Sequence, residues 1–479
     1  MRLKKSKKNK CLKIGKCSFY YIYILITGLL FLLKNTLLSL RDLSVNKDYN
    51  IFKIDTIISK HGFIKLVIEN LGYILFGWIF WLIIKNSKTK RNYEKKETDA
   101  VEAENDEIEN NSQNKNVKLL YIEDKINKKC SINLLIASGV FATQLTIRNI
   151  LTTLDTWLFE IWVFDLIFIS IFMKIILRYK IYKHHFYIFV FNIVVNFILF
   201  IAASFVKNKN GNNLYDRVKN NFGNYGYCVL FYISYISISC MLSFSKVMQK
   251  EVMDFEYISP LKIVILYGVI STLFSFIALI ITSLIKCNEL LMKNKLCPVS
   301  NPEQKNEIVY FDNIFIFFNN LREKYHKNKK DFFIEILLVY PLYSFIGFAK
   351  YFFETMIIYY LNPFYVLISD NIYYTPKKIL RLIFNPNDTK IYLRLIGEII
   401  ASIANLFFLE ILEFNCCGLN FNTKFNIQKR GKLDSNSDNI LDDKKYIFDL
   451  GTINSDYQSD VDTQTDNQDE LIKDNEVYT

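Results

Sequence analysis

Apolar runs of about 20 residues recur along the chain, each long enough to cross a hydrocarbon core of roughly 30 Å at about 1.5 Å per residue. They predict helices over Phe19–Leu33, Leu66–Ile84, Ile132–Leu151, Trp157–Leu177, Phe186–Phe205, Tyr225–Phe244, Ile263–Ile285, Phe332–Ala349, Phe353–Ile368 and Leu393–Leu412. The pattern therefore predicts an all-α membrane protein of about ten transmembrane helices. Two of these organise the rest, the spans on either side of the basic turn Arg178-Tyr179-Lys180-Ile181-Tyr182-Lys183-His184-His185. The first carries Glu160, Asp165 and Lys174 in an otherwise apolar run, and a charge at mid-bilayer costs about 2.5–3.5 kcal/mol on insertion scales. The second is apolar apart from Asn192, Asn196 and Ser204, with the two asparagines on one helical face. Residues of this kind seldom face lipid, so the pair predicts a polar interior.

The segments between the runs divide the chain. Residues 1–17 are basic without an acid, which predicts a cytosolic N-terminus, and no small-residue cleavage site follows Leu33, which makes the first run an anchor. The first two spans fall within 18–84, a mixed-charge, Asn-rich stretch over 85–131 predicts a disordered cytosolic linker, 132–414 forms an eight-span core, and 415–479 predicts a disordered, acidic cytosolic tail. In the second span Lys65 and Glu69 stand one turn apart, the spacing of a helix-end salt bridge, while Gly72 and Gly77 thin the helix surface. The stretch Lys246–Lys262 reads as a short basic turn and Lys207–Asn224 as a polar loop. The longest far-side loop, Lys286–Asp331, contains Cys287 and Cys297, which would pair in an oxidising compartment, and an amphipathic piece near Asn313–Leu321. Pro341 and Asn362-Pro363 interrupt the eighth and ninth spans, and Tyr373–Asp388 reads as a re-entrant or interfacial segment.

Composition narrows the function. The net charge of +12 sits in tails and loops, where it holds cytoplasmic segments in place, so nucleic acid is not an expected partner. No phosphate-binding loop of the Gly-x4-Gly-Lys-Ser/Thr type is present, which argues against an ATP-driven pump. Four histidines and nine scattered cysteines lack metal-ligand spacing, so no metal or cofactor is expected. Cys11, Cys17, Cys416 and Cys417 flank the spans as candidate acylation sites. No nucleophile with a base in reach stands out, so the chain is not expected to be an enzyme.

What stands out is the intramembrane polar set: Arg148, Glu160, Asp165, Lys174, Asn192, Asn196, Glu335, Tyr340, Tyr343, Glu354, Glu398 and Asn405. Lys174 and Glu354 lie near span ends, where the plain reading is interfacial. Arg148, Glu160, Asp165, Asn192, Asn196 and Glu398 are the candidate substrate-binding residues, with Arg148 suited to an anionic group.

The segment Phe159–Phe172 with Leu177–His185, the opening Tyr257–Lys262 of the seventh span, and Tyr360–Asp370 resemble helices of the drug/metabolite transporter superfamily, which includes nucleotide-sugar transporters. Leu409–Asn420 is similar to the last helix end of multispan proteins of unicellular eukaryotes. The similar stretches fall between Ile132 and Asn426, and Asp165, Lys174 and the long linker depart from the pattern. The resemblance implies two five-helix halves rocking around a midplane site without ATP hydrolysis. The expected function is secondary transport or exchange of a small polar metabolite across an endomembrane, with membrane lipids as surroundings and a homodimer left open. The alternative is a receptor or scaffold that recruits cytosolic partners through the linker and tail.

Overall fold

A computed structural model describes residues 12–14, 21–39, 61–98, 128–153, 163–179, 183–206, 213–255, 258–287, 297, 299–300, 308–370, 375–376, 379, 389–408 and 412–414. The helices are α1 Tyr21–Ser39, α2 Gly62–Thr98, α3 Lys128–Thr153, α4 Val163–Ile176, α5 Lys183–Phe205, α6 Leu214–Phe222, α7 Gly226–Phe255, α8 Pro260–Leu284, α9 Ile314–Lys327, α10 Lys329–Ile334, α11 Tyr340–Tyr360 and α12 Thr389–Phe408. A π-helical turn, Glu335–Val339, joins α10 to α11 without a break. Strand β1, Leu12–Ile14, pairs antiparallel with β4, Leu412–Phe414, and β2, Val299–Ser300, with β3, Val309–Tyr310.

Among the described residues, five segments are long and apolar enough to cross a membrane: Gly62–Asn86, Ile132–Leu151, Gly226–Asp254, Pro260–Leu284 and Lys329–Tyr360. Shorter apolar helices cover Ile22–Lys34, His185–Leu199 and Leu395–Phe407. The outer surface is greasy, with Leu75, Ile175 and Leu284 exposed, while Asp165, Lys246 and Glu354 are buried. That inside-out distribution is the one a bilayer demands. The chain is an all-α membrane protein in its architecture.

Helix α2 is the spine. It packs between α8 and α11, while α1 lies on α11, α3 on α7 and α8, α4 on α7, and α12 on α5. In lipid, small residues set how closely helices approach. A Cβ on Gly72 would stand 2.8 Å from the Ser344 carbonyl oxygen, and one on Gly268 would stand 2.8 Å from the Tyr73 Cβ. Those two glycines let α2 meet α11 and α8 backbone to backbone.

Several expectations are corrected. Phe332–Ala349 and Phe353–Ile368, expected as two spans, are mostly one helix that runs to Tyr360. Pro341 does not interrupt it, because the π turn just before it carries the bond from the Tyr340 amide to the Glu335 carbonyl and widens the backbone where the proline lacks a donor. The break comes at Leu361-Asn362-Pro363, where Asn362 Oδ1 accepts from the Phe364 amide at 3.0 Å and a short helix resumes over 364–370. Helix α7 continues through the stretch expected as the basic turn Lys246–Lys262 as far as Phe255, which buries Lys246 and Lys250. Helix α2 likewise runs into the expected linker as far as Thr98, through a charged sequence with no Gly or Pro. Within the expected polar loop Lys207–Asn224 lies α6, closed by an Asn213/Asp216 capping box and a left-handed Gly223. Residues 99–127 and the tail 415–479 lie outside the described residues, as do most of Tyr373–Asp388 and Cys11, Cys17, Cys416 and Cys417.

The far-side loop folds onto the bundle. Cys287 and Cys297 form a disulfide, the Cys287 amide donates to the Val309 carbonyl at 2.9 Å, and Asn313 caps α9. Asp312, fully buried, accepts from the Phe63 and Ile64 amides at 2.7 and 3.2 Å and shares a 2.6 Å hydrogen bond with His61 Nδ1. A loop residue thus caps the first turn of α2, whose amides need an acceptor.

Candidate functional site

Helix α7 builds the site. Its Ser239, Ser243, Lys246 and Lys250 recur at intervals of three and four residues, the spacing of one helical face. Ser243 Oγ donates to the Asp165 carbonyl of α4 at 3.2 Å and Ser245 Oγ to the Ala137 carbonyl of α3 at 3.3 Å. Ser245 also shares a hydrogen bond with the Tyr267 hydroxyl of α8 at 3.2 Å, and Gln249 Nε2 donates to the Tyr351 hydroxyl of α11 at 3.0 Å. Helix α7 therefore makes polar contacts with four other helices inside the bundle, through Ser243 on the stripe and through Ser245 and Gln249 on the adjoining flank.

Charge collects along that stripe. Lys246 Nζ lies 3.4 Å from Glu354 Oε1, and Lys350 Nζ lies 3.5 Å from Glu354 Oε2. Asp165 interacts electrostatically with Lys246, Asp370 and Arg148. Asp370 in turn feels Lys246, Lys350, Glu354 and Arg148. Three acids and three bases from five elements thus share one interior region, with opposite signs balanced.

The balance is incomplete in hydrogen bonds. Asp165 is bonded by Ser239, yet its Oδ1 has no hydrogen-bond partner. Gln144 of α3 is fully buried with both Oε1 and Nε2 unbonded, and Gln249 Oε1 is also unbonded. Leaving one buried polar group unsatisfied costs about 1–3 kcal/mol. Such groups call for a partner, and a solute is one.

A second acid centre behaves differently. Glu69 of α2 is paired with Lys34 of α1, and it accepts from the Tyr73 hydroxyl at 2.6 Å and the Tyr343 hydroxyl of α11 at 2.9 Å. Lys34 and Lys65 sit over the Tyr343 ring, 5.3 and 5.9 Å from its centre. The Lys65–Glu69 helix-end salt bridge expected from the sequence is thus replaced by one between helices. Glu335 is likewise held by Lys324 and by the Tyr340 hydroxyl at 2.6 Å.

Four aromatic rings in mutual contact link the two centres. Tyr73 stacks on Tyr351 at 5.1 Å, and Phe141 lies 5.2 Å from both Tyr267 and Tyr351. These rings from α2, α3, α8 and α11 form the dry floor of the polar region.

The six expected substrate-binding residues separate. Arg148 and Asp165 lie within electrostatic reach of one another beside α7. Asn192 and Asn196 lie on α5, where Asn196 Nδ2 donates to Asn192 Oδ1 at 2.6 Å, and Asn196 Oδ1 would touch a Cβ placed on Gly397 of α12. Glu398, next to that glycine, is buried on α12. Glu160 lies outside the described residues. Sequence reading missed Lys246, Lys350, Asp370, Gln144 and Gln249 as site residues. It set Glu354 aside as interfacial, whereas the structure buries it between two lysines. Lys174 is exposed. The signal for Lys246 was in the sequence, since the Ser239/Ser243/Lys246/Lys250 spacing continues the sixth span past Phe244.

Neither the known family models nor the curated proteins match the chain. The functional reading therefore rests on the site.

Proposed function

We propose that the chain is a secondary carrier or exchanger of a small polar metabolite, working by alternating access around the α7 stripe. The observation that carries this reading is the partly satisfied cluster of Gln144, Asp165, Lys246, Gln249 and Glu354, buried inside a bundle whose outside is apolar. Polar groups at such depth are expensive in an inert scaffold. A carrier uses them, because its site must hold the solute in one state and release it in the next.

The rest of the reading is topological. The pairing of β1 with β4 supports both ends of the chain on one face, and the basic first 17 residues support a cytosolic face. Ends on one face require an even number of crossings, so with two expected spans merged, ten crossings in two five-helix halves require a further one after Tyr360. The Cys287–Cys297 disulfide supports an oxidising compartment on the opposite face, in keeping with an endomembrane. Membership in the drug/metabolite transporter superfamily is part of the proposal.

The test is uptake into vesicles reconstituted with purified protein. A carrier keeps its uptake when the tail is removed after Arg430. A protein that loses cytosolic partners on that truncation and moves no solute is the scaffold instead.

A further inference from the structure

The unbonded atoms of the cluster are mostly acceptors. Asp165 Oδ1 and Gln144 Oε1 each lack a proton to accept, Gln249 Oε1 lacks one further along α7, and the single unbonded donor among these side chains is Gln144 Nε2. All three side chains are more than nine-tenths buried. Gln144 stands seven residues after Ala137, whose carbonyl receives Ser245 Oγ, so it lies on the face of α3 that meets α7. Asp165 meets that same helix through Ser239 and Ser243. The carboxylate and the amide therefore flank one stretch of α7.

The two neighbouring lysines already have a carboxylate. Lys246 and Lys350 both lie on Glu354, one on each oxygen. An anion entering here would meet lysines already paired and the carboxylates of Asp165 and Asp370, which themselves interact. A protonated amine brings positive charge and up to three N–H donors, which is what the unbonded acceptors lack.

Building on the carrier reading, we propose that the solute carries a protonated amine, with Asp165 as its counter-ion and the Gln144 side-chain oxygen as a hydrogen-bond acceptor. A simple alkylammonium and the ammonium of an α-amino acid share that chemistry. The opposite charges around the site suit the amino acid as well, since Arg148 stands in the same field as Asp165.

The probes are n-butylammonium, glycine and inorganic phosphate, titrated against the thermal stability of the purified full-length protein. Butylammonium, glycine or both raise the melting temperature saturably, and phosphate leaves it unmoved. Asp165→Asn weakens the amine response about tenfold, the loss of one charge-assisted bond, and Gln144→Leu weakens it about threefold, the loss of a neutral one. If Asp165→Asn does not fold, Gln144→Leu carries the comparison. A response to butylammonium alone assigns a simple cation, and one to glycine alone a zwitterion. Stabilisation by phosphate only, by no probe, or by amines equally in wild type and both variants overturns the proposal. Vesicle uptake separates this failure from failure of the carrier reading. Phosphate moved and amines ignored leaves a carrier of another class, whereas amines bound and never moved leaves the site and removes the carrier.

Discussion

Glu69 and Asp165 are both carboxylates buried inside one apolar-surfaced bundle, and they are treated in opposite ways. Glu69 receives a lysine from a second helix and hydroxyls from two tyrosines, which engage both of its oxygens. Asp165 has Ser239, a share of the field of Lys246 and Arg148, and an oxygen with no bond. A saturated buried acid is mortar: it locks α1, α2 and α11 together, and its geometry leaves nothing for a solute. An acid left short of partners is either a defect or a place kept for something that comes and goes. The unbonded Gln144 atoms of α3 and the unbonded Gln249 oxygen of α7 favour the second.

The sharpest break would come from removing each acid. Glu69→Ala leaves Lys34 buried without its partner and is expected to destabilise the protein by about 3–5 kcal/mol, seen as loss of monodisperse material on size exclusion. Next in size is Lys246→Ala, which strips one partner from Glu354 and is expected to cost about 3 kcal/mol. The double variant Lys246→Met/Glu354→Leu removes that pair whole but leaves Lys350 without its carboxylate, so it recovers part of that stability while abolishing uptake. A double variant that recovers stability and still takes up solute would mean that the pair is mortar, as at Glu69. Gly72→Ala puts a methyl 2.8 Å from the Ser344 carbonyl and is expected to cost about 1–3 kcal/mol by parting α2 from α11, with a lower melting temperature as the readout. The smallest effect is a gain. Arg178 ends α4 in a left-handed conformation, φ 54°, while the Tyr179 amide reaches the Met173 carbonyl at 3.0 Å, and Arg178→Gly is expected to stabilise by about 1 kcal/mol without changing uptake.

Much of the fold was legible because the bilayer imposes a strong pattern on sequence. Runs such as Ile132–Leu151 and Ile263–Ile285 correspond closely to α3 and α8. Span ends were harder. Pro341 carries the signature of a break, but a π turn absorbs it, and only the neighbouring residues' geometry reveals that. Lys246 looked like the start of a basic turn because a cation is ordinarily solvated, yet Glu354, more than a hundred residues later, gives it a buried partner. Partners so distant in sequence cannot be read from periodicity. The same holds for Glu69, whose nearest sequence neighbour of opposite charge on its face, Lys65, is not the lysine that pairs with it. Asp165 was legible because an acid in an apolar run is costly wherever it points. The separation of Asn192 and Asn196 from it was not, since it depends on α5 packing against α12.

The most direct test pairs thermal unfolding with vesicle uptake for Asp165→Asn and Glu69→Gln in the purified protein. The expected result is that Asp165→Asn unfolds near the wild-type temperature and takes up solute about tenfold less at low solute concentration, while Glu69→Gln unfolds much earlier. If Asp165→Asn unfolds as early as Glu69→Gln, or folds and transports as wild type does, the α7 stripe is not a solute site.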